Sequence, residues 1–232
     1  MERVKKTKEA YIADFFSNTG ATYDRVVSLF TFGIDRLWKK KIVQKLTAPK
    51  RILDLACGTG ILTMMLAKRY PESEIVAVDI SPGYLEVSWR KAFKNKVKNI
   101  SFILSTAEDY KSVNRFDAVT ASYLPKYAKL DLLVRNLSQM INPGGLLLFH
   151  DFTYPKKMFL QRLFAGYFKI VPVIGGWFFP EWKSVLRELP DLIQEATWVK
   201  ELTILLGREG FDQIKVESLT MEGSAIVSAR KK

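Results

Sequence analysis

Histidine and cysteine are nearly missing from this chain, with one of each, His150 and Cys57, among 232 residues. A single cysteine excludes a disulfide framework and a thiolate metal cluster. No other ligand cluster is offered, so no metal is expected. Acidic residues are in deficit, 24 against 36 Lys and Arg, which leaves a formal charge of +12. The basic residues are scattered, as in Lys39-Lys40-Lys41, Lys156-Lys157 and Arg230-Lys231-Lys232, rather than gathered in one block. A solvated basic surface is expected, and the sharper alternative is attraction to anionic lipid, worth about 1 kcal/mol per basic residue near the surface. There is no repeat and no low-complexity segment. The most apolar stretch, 156–198, is broken by Arg162, Lys169, Pro172 and Pro180, which excludes a membrane-spanning helix. Residues 1–10 are charged and polar, so no cleavable signal is expected and the protein is placed in a reducing cytoplasm. What is present, 48% hydrophobic and 12% aromatic residues, describes one ordered domain spanning 1–232.

The organising stretch is Arg51-Ile52-Leu53-Asp54-Leu55-Ala56-Cys57-Gly58-Thr59-Gly60. An apolar run stops at a glycine turn, and a helix-forming run follows at once. Strand, tight loop and helix N-terminus make the local geometry of a nucleotide site in an open α/β sheet. Gly58 and Gly60 allow the sharp turn and a ligand's close approach. Cys57 reads as a small side chain filling that turn rather than a reactive thiol. Nineteen residues beyond Gly60, the run Glu74-Ile75-Val76-Ala77-Val78 ends in Asp79, placed to accept both hydroxyls of a ribose. Thr63 stands where a dinucleotide fingerprint needs its third glycine. Asp54, four residues before Gly58, would repel a pyrophosphate but not a cationic ligand.

This pattern resembles the S-adenosylmethionine site of class I methyltransferases. The resemblance implies an α/β fold: an open, mostly parallel, seven-stranded Rossmann-like sheet with S-adenosylmethionine as cofactor and S-adenosylhomocysteine as product. Lid helices are expected over 1–48. Tyr11, Ile12, Phe15 and Phe16 fall at helical spacing within 4–20, and Ile34, Leu37, Trp38, Ile42, Val43 and Leu46 form one apolar stripe. Ser81 caps a helix with Pro82 at its first position. Strands follow at 100–104, 116–122 and 146–152, the last after the Asn142-Pro143-Gly144-Gly145 turn. Residues 156–198 read as a hydrophobic helical insertion after the fifth strand, either a cap or the lining of a greasy channel that touches the bilayer. A helix over 197–210 and an antiparallel strand pair close the chain.

A closer resemblance lies upstream. Phe15-Phe16, Tyr23-Asp24 and Thr31-Phe32-Gly33-Ile34-Asp35-Arg36-Leu37-Trp38 are similar to the N-terminal segment of the ubiquinone/menaquinone biosynthesis C-methyltransferases, over roughly the first 155 residues. It implies cofactor contacts from Asp54, Ala56, Gly58, Gly60, Asp79, Ile80, Thr106, Ala107 and Ser122. Thr106 replaces the usual Asp or Asn, so adenine recognition is expected to rest more on backbone groups. After the fourth strand the family reads S-F-G-L-R-N. Ser122 and Tyr123 agree with it, whereas Lys126 replaces the arginine and Tyr127 the asparagine. Asp151 aligns with the family's acidic residue and is the favoured base, with His150 and Tyr23 as further candidates and Lys126 stabilising a phenolate.

The expected activity is methylation of ring carbon on a lipid-soluble quinol, a hydrophobic acceptor, with peripheral contact at the cytoplasmic membrane face. Methyl transfer to another hydrophobic or phenolic molecule stays open, as does a non-catalytic cofactor-binding protein. RNA is suggested by charge alone; no N-P-P-Y-like motif, second cysteine or RNA-binding module supports it, and no nucleic-acid partner is expected. The oligomeric state is not legible.

Overall fold

The computed structural model describes residues 19–232, so the helix expected over residues 4–20 falls almost wholly outside it. The strands are β1 (Arg51–Leu55), β2 (Glu74–Asp79), β3 (Ile100–Leu104), β4 (Phe116–Ser122), β5 (Ile141–Phe152), β6 (Phe211–Leu219) and β7 (Ser224–Lys231). They form one sheet in the order β3-β2-β1-β4-β5-β7-β6. β1 to β5 run parallel, and β7 pairs antiparallel with both β5 and β6. This is the open, mostly parallel sheet that the sequence implies. Strand order reverses between β1 and β4, and ligands of such sheets bind at the carboxyl ends of the strands beside that reversal.

The helices are α1 (Tyr23–Phe30), α2 (Ile34–Lys45), α3 (Ile61–Arg69), α4 (Pro82–Lys94), α5 (Leu130–Met140), α6 (Met158–Phe178), α7 (Lys183–Glu195) and α8 (Trp198–Arg208). Side chains alternate across a strand, which sorts the core into two layers. Leu53, Leu55, Val119 and Phe149 face α5 and α8, where Leu133, Leu137, Trp198 and Leu202 are buried. Ile52, Ile75, Ala118 and Leu148 face the other way, onto Trp38 and Ile42 of α2 and Leu62 and Leu66 of α3. Helices on both faces explain why β1 reads as a continuous apolar run rather than an alternating one.

Two sequence expectations shift. Leu37 is 60% exposed, whereas Asp35 and Lys39 are 2% and 4% exposed. At about 100° per residue, Asp35 and Lys39 fall between Trp38 and Val43 on the inward arc, and Leu37 falls outside it. The buried stripe of α2 therefore carries an ion pair, and Lys39 does not belong to the solvated surface of its basic neighbours. Second, β5 starts at Ile141, directly after α5, and absorbs the Asn142–Gly145 turn as an irregularity: Ile141 pairs with Phe116 and Leu146 with Ala118, with a register shift between. Asn142 Nδ2 donates to Asp117 Oδ1 at 2.8 Å, which anchors the excursion.

The insertion is helical, with α6, a short 3-10 turn (Pro180–Trp182) and α7. With α1 it builds a satellite core of Val26, Val171, Trp182, Val185 and Leu186. Gly175 makes that packing possible, since a Cβ there would lie 2.2 Å from Leu186 Cδ1 and 2.9 Å from Phe30. Trp182 Nε1 donates to Thr22 Oγ1 at 2.9 Å, and Tyr167 OH donates to the Phe30 carbonyl. The insertion and the first described helix thus cover the sheet's carboxyl edge as one unit.

Candidate active site

Beyond β1 the chain turns through Ala56 and Gly58 at positive φ, and Gly60 caps α3 at φ +81°. A Cβ on Gly60 would sit 2.1 Å from Ser88 Oγ, so α3 and α4 approach here only because that position is glycine. The Gly58 N–H donates to Asp79 Oδ2 at 2.8 Å, and the Ser81 N–H to Asp79 Oδ1 at 2.8 Å. Asp79 is thereby oriented with spare lone pairs, while burial raises its carboxyl above the usual range. Burial also pushes the Cys57 thiol well up, which opposes thiolate chemistry.

Beneath the loop, Asp54 accepts hydrogen bonds from Thr63 Oγ1 at 2.6 Å and Thr120 Oγ1 at 2.8 Å. Its carboxyl is pushed up to about 6, because desolvation outweighs these two donors and the nearby Lys39 charge. Thr63, in the place of the missing third glycine, therefore serves the carboxylate. Thr120 does the same from β4, directly across from Asp54 in the pairing register. Thr120 does not stand out in the sequence, because a hydroxyl whose partner lies 66 residues away on the neighbouring strand leaves no local signal.

A cavity of about 400 Å³ opens over the carboxyl ends of the strands. Its strand-side end carries the polar side chains of Asp79, Ser81, Thr106, Ser122 and Lys126 beside Ala56, Gly58, Ile80 and Ala107, and its far wall is made by residues of α1, α6 and α7 such as Phe30, Phe164, Phe168 and Leu186. Asp54 borders a separate small opening of about 20 Å³ that shares Tyr23, Ala56, Gly58, Ser122 and Tyr123 with the cavity wall, and Gly60 lines neither. Thr106 Oγ1 donates to Asp109 Oδ2 at 2.7 Å and accepts from the Asp109 N–H at 3.0 Å, so its hydroxyl is engaged in its own turn. Above the loop, Asp24 of α1 accepts from Thr59 Oγ1 at 2.6 Å and Lys91 Nζ at 2.5 Å, tying the cover to the glycine turn.

Of the four candidate catalytic residues, Tyr23 and Lys126 reach the cavity wall, while Asp151 and His150 stand behind it. Lys126 Nζ donates to Asp151 Oδ1 at 2.6 Å with both side chains buried. Asp151 also accepts from the backbone N–H groups of Lys126 at 3.1 Å and Phe152 at 2.8 Å. Burial lowers the Lys126 ammonium below its usual range, and the Asp151 charge opposes that shift. The ammonium also lies 4.3 Å from the Tyr127 ring centroid, so the residue that replaces the family's asparagine packs on the one that replaces its arginine. Burial drives the Tyr23 hydroxyl well above its usual range, leaving it a neutral donor.

His150 is enclosed. Ser122 Oγ lies 2.9 Å from its Nδ1 and Ser224 Oγ 2.7 Å from its Nε2. Ser224 spends its single hydroxyl proton on the Asp151 carbonyl at 3.0 Å, which makes Nε2 the protonated nitrogen and Nδ1 the acceptor from Ser122. Desolvation holds this imidazole well below its usual pKa, and Trp38 and Tyr123 pack on its ring at 5.3 and 5.1 Å. Its reach into the site is through Ser122. Tyr123 itself, at φ +68°, donates its hydroxyl to Asp35 Oδ1 at 2.6 Å and stacks on Phe152 at 4.9 Å. Lys39 and Tyr123 line the cavity or the small opening beside it, and Asp35 joins them from behind; no signal in the sequence marks Asp35, Lys39 or the Tyr123 hydroxyl as part of the site.

A family model described as the ubiE/COQ5 methyltransferase family matches residues 4–231. The demethylmenaquinone methyltransferase of Thermus thermophilus is 31% identical over 216 residues, covering 91% of this chain and 97% of that protein. The ubiquinone/menaquinone biosynthesis C-methyltransferase UbiE of Pseudomonas paraeruginosa is 30% identical over 220 residues, covering 92% of this chain and 86% of that protein. Among solved structures, magnesium protoporphyrin IX methyltransferase from Synechocystis PCC 6803, with S-adenosylmethionine bound, superposes with a TM-score of 0.69 at 15% identity over the whole of both chains. That last likeness is one of fold.

Proposed function

The chain belongs to the ubiE/COQ5 methyltransferase family, and from that premise we propose that it methylates a ring carbon of a lipid-soluble quinol. It is an S-adenosylmethionine-dependent methyltransferase. The residues suit that cofactor: Asp79 ends β2 at the cavity wall, and Asp54 puts a carboxylate under the loop where a phosphate would be repelled. In this reading Asp79 holds the ribose, the backbone around Thr106 and Ala107 holds the base, and Ala56, Gly58, Ile80 and Ser122 shape the rest of the wall. When bound, S-adenosylmethionine supplies a methyl group already activated on a sulfonium.

The observation that carries the acceptor assignment is the cavity's two-ended character, a polar end at the strands and an aromatic wall on α1, α6 and α7. A polar ring with an apolar tail matches it. The cover excludes water and aligns the ring, and alignment alone contributes about 7–11 kcal/mol in good geometries. Lys126 and Asp151 supply the proton step. Lys126 receives the ring hydroxyl's proton as it passes one of its own to Asp151, so the electron pair stays on the ring oxygen beside an ammonium. Lys126 thus takes the place of the family's arginine as a point charge rather than a planar fork.

The outward side of α6 supports contact with an anionic bilayer. Met158, Phe159, Ile170, Val173, Trp177 and Phe178 are exposed there, Arg162 and Lys169 flank them, and α6 contains no acidic residue. No helix among the described residues is long and apolar enough to cross a membrane.

The test is incubation with methyl-labelled S-adenosylmethionine and a panel of demethylated quinols and other phenolic lipids. Label on a quinol ring carbon is the expected result. Label only on a phenol of another class would replace the acceptor assignment and keep the methyltransferase.

A further inference from the structure

The cavity wall is buried or half-buried except at two places. Among the described residues lining it, the exposed ones are Lys129 on one side and Phe32, Thr220 and Met221 on the other. Phe32 is 79% exposed and Met221 66%, and both stand at φ +51°, in the α1–α2 and β6–β7 turns. α6 joins the two turns. The Phe32 ring lies 6.2 Å from that of Tyr167, and Glu222 accepts from the Lys156 N–H at 2.8 Å just ahead of α6. Phe164, between these points, is half-buried and lines the cavity. Trp38 Nε1 closes the third side by donating to Thr220 Oγ1 at 2.9 Å. The two turns and α6 thus frame a mouth. An aromatic wall leads to it from the polar end: the Phe152 ring centroid lies 5.5 Å from Lys126 Nζ, and the Trp38 ring 5.9 Å from that of Phe152.

We propose that the acceptor's hydrocarbon chain leaves the cavity through this mouth, so that the ring enters first from a bilayer while the chain stays in lipid. This rests on the quinol reading above and adds the route and the residues that meet the chain. Volume requires an exit. About 400 Å³ lies at the lower end of what one drug-sized ligand takes, and this space receives both an adenosyl cofactor and a ring. A long isoprenoid chain cannot be enclosed as well. Outside the mouth, Met158 and Phe159 at the start of α6 are 67% and 68% exposed, and Leu29 and Leu37, on the helices flanking the α1–α2 turn, are 52% and 60% exposed. Arg36, Lys40, Lys156 and Lys157 are exposed among them, so an apolar rim stands in a basic collar that matches an anionic bilayer. The edge at Lys129 is charged instead, with Glu108 accepting from its N–H at 2.8 Å, which does not suit a hydrocarbon chain.

The test measures kcat/KM on the full chain with a 1,4-naphthoquinol and a 1,4-benzoquinol, each with a bare ring or a short isoprenoid side chain, in buffer without lipid or detergent. The native protein is expected to favour the chain-bearing form by about 10- to 100-fold, since the chain moves from water into the mouth. In Phe32→Asn and in Met221→Asn that ratio should fall by about 3- to 10-fold, the range for half-burying one such side chain. Asparagine accepts a positive φ, and both positions are exposed, so the fold is kept. A native ratio near one, or a ratio that holds in both variants, would overturn the mouth. A second readout uses the native chain alone. A long-chain quinol carrying a diazirine near the ring end of its chain, in vesicles containing phosphatidylglycerol, should label residues 29–37 or 219–222, and label confined to α7 would overturn the route. If no ring is methylated in either form, the quinol reading itself falls, a result distinct from an unchanged ratio.

Discussion

Lys126 Nζ lies 2.6 Å from Asp151 Oδ1, and the two side chains are 2% and 0% exposed. The proposed base and the proposed phenolate partner are therefore one buried ion pair that presents its cationic member to the cavity. Such a pair has no net charge. Removing either half leaves the other uncompensated, which generally costs about 3–5 kcal/mol of stability.

Asp151→Asn is expected to reduce turnover by about 10²- to 10⁴-fold while cofactor affinity holds, the usual range for losing an acid–base group. Lys126→Met should reduce turnover as well. Steady-state kinetics alongside calorimetric titration with S-adenosylhomocysteine separates the two quantities. Undiminished turnover in Asp151→Asn would remove the proton relay.

Asp54 contributes a pH dependence of definite sign. Its folded-state pKa, about 6, lies above the ordinary 3.8, so the fold takes up a proton more readily than the unfolded chain. Stability from this group is complete below the ordinary value and is lost as pH rises through about 6. Asp54→Asn should match the native chain near pH 4 and exceed it near pH 7 by about 2–3 kcal/mol, while binding S-adenosylhomocysteine less tightly. Urea midpoints at the two pH values check the first part, and an unchanged difference between them would refute it.

His150 acts in the opposite sense. Burial depresses its pKa, so its contribution is present above the ordinary histidine value and is lost as pH falls through the folded one. His150→Gln should be less sensitive to acid below about pH 6.5 than the native chain. Because the imidazole stays neutral behind Ser122, kcat/KM should show no histidine inflection near that pH, and finding one that disappears in His150→Gln would give the ring a direct catalytic role.

The outer face of α6 can be tested without touching the cavity. Ile170→Asp and Trp177→Asp alter exposed positions outside the cavity wall. Both should abolish flotation with vesicles containing phosphatidylglycerol and leave S-adenosylhomocysteine affinity unchanged. Flotation that persists in both variants would move the contact elsewhere.

Features whose signals are local were legible in the chain. The strand–turn–helix at 51–69, the carboxylate ending β2, the Ser81 cap with Pro82 behind it and the closing hairpin all follow from periodicity and turn chemistry within about a dozen residues. Which charges are buried, and whom they meet, follows from packing between distant parts of the chain. Lys39 sits in a run of three lysines, and nothing in that run marks it as inward; α2 lying flat on the sheet does. The β4–β5 register places Ser122 opposite His150, and chain reversal brings Tyr123 to Asp35, 88 positions away. A hydrogen bond or ion pair depends on distance in space and on exclusion of water. Neither is encoded in neighbouring residues, so the frame of the site was legible in advance and its electrostatics were not.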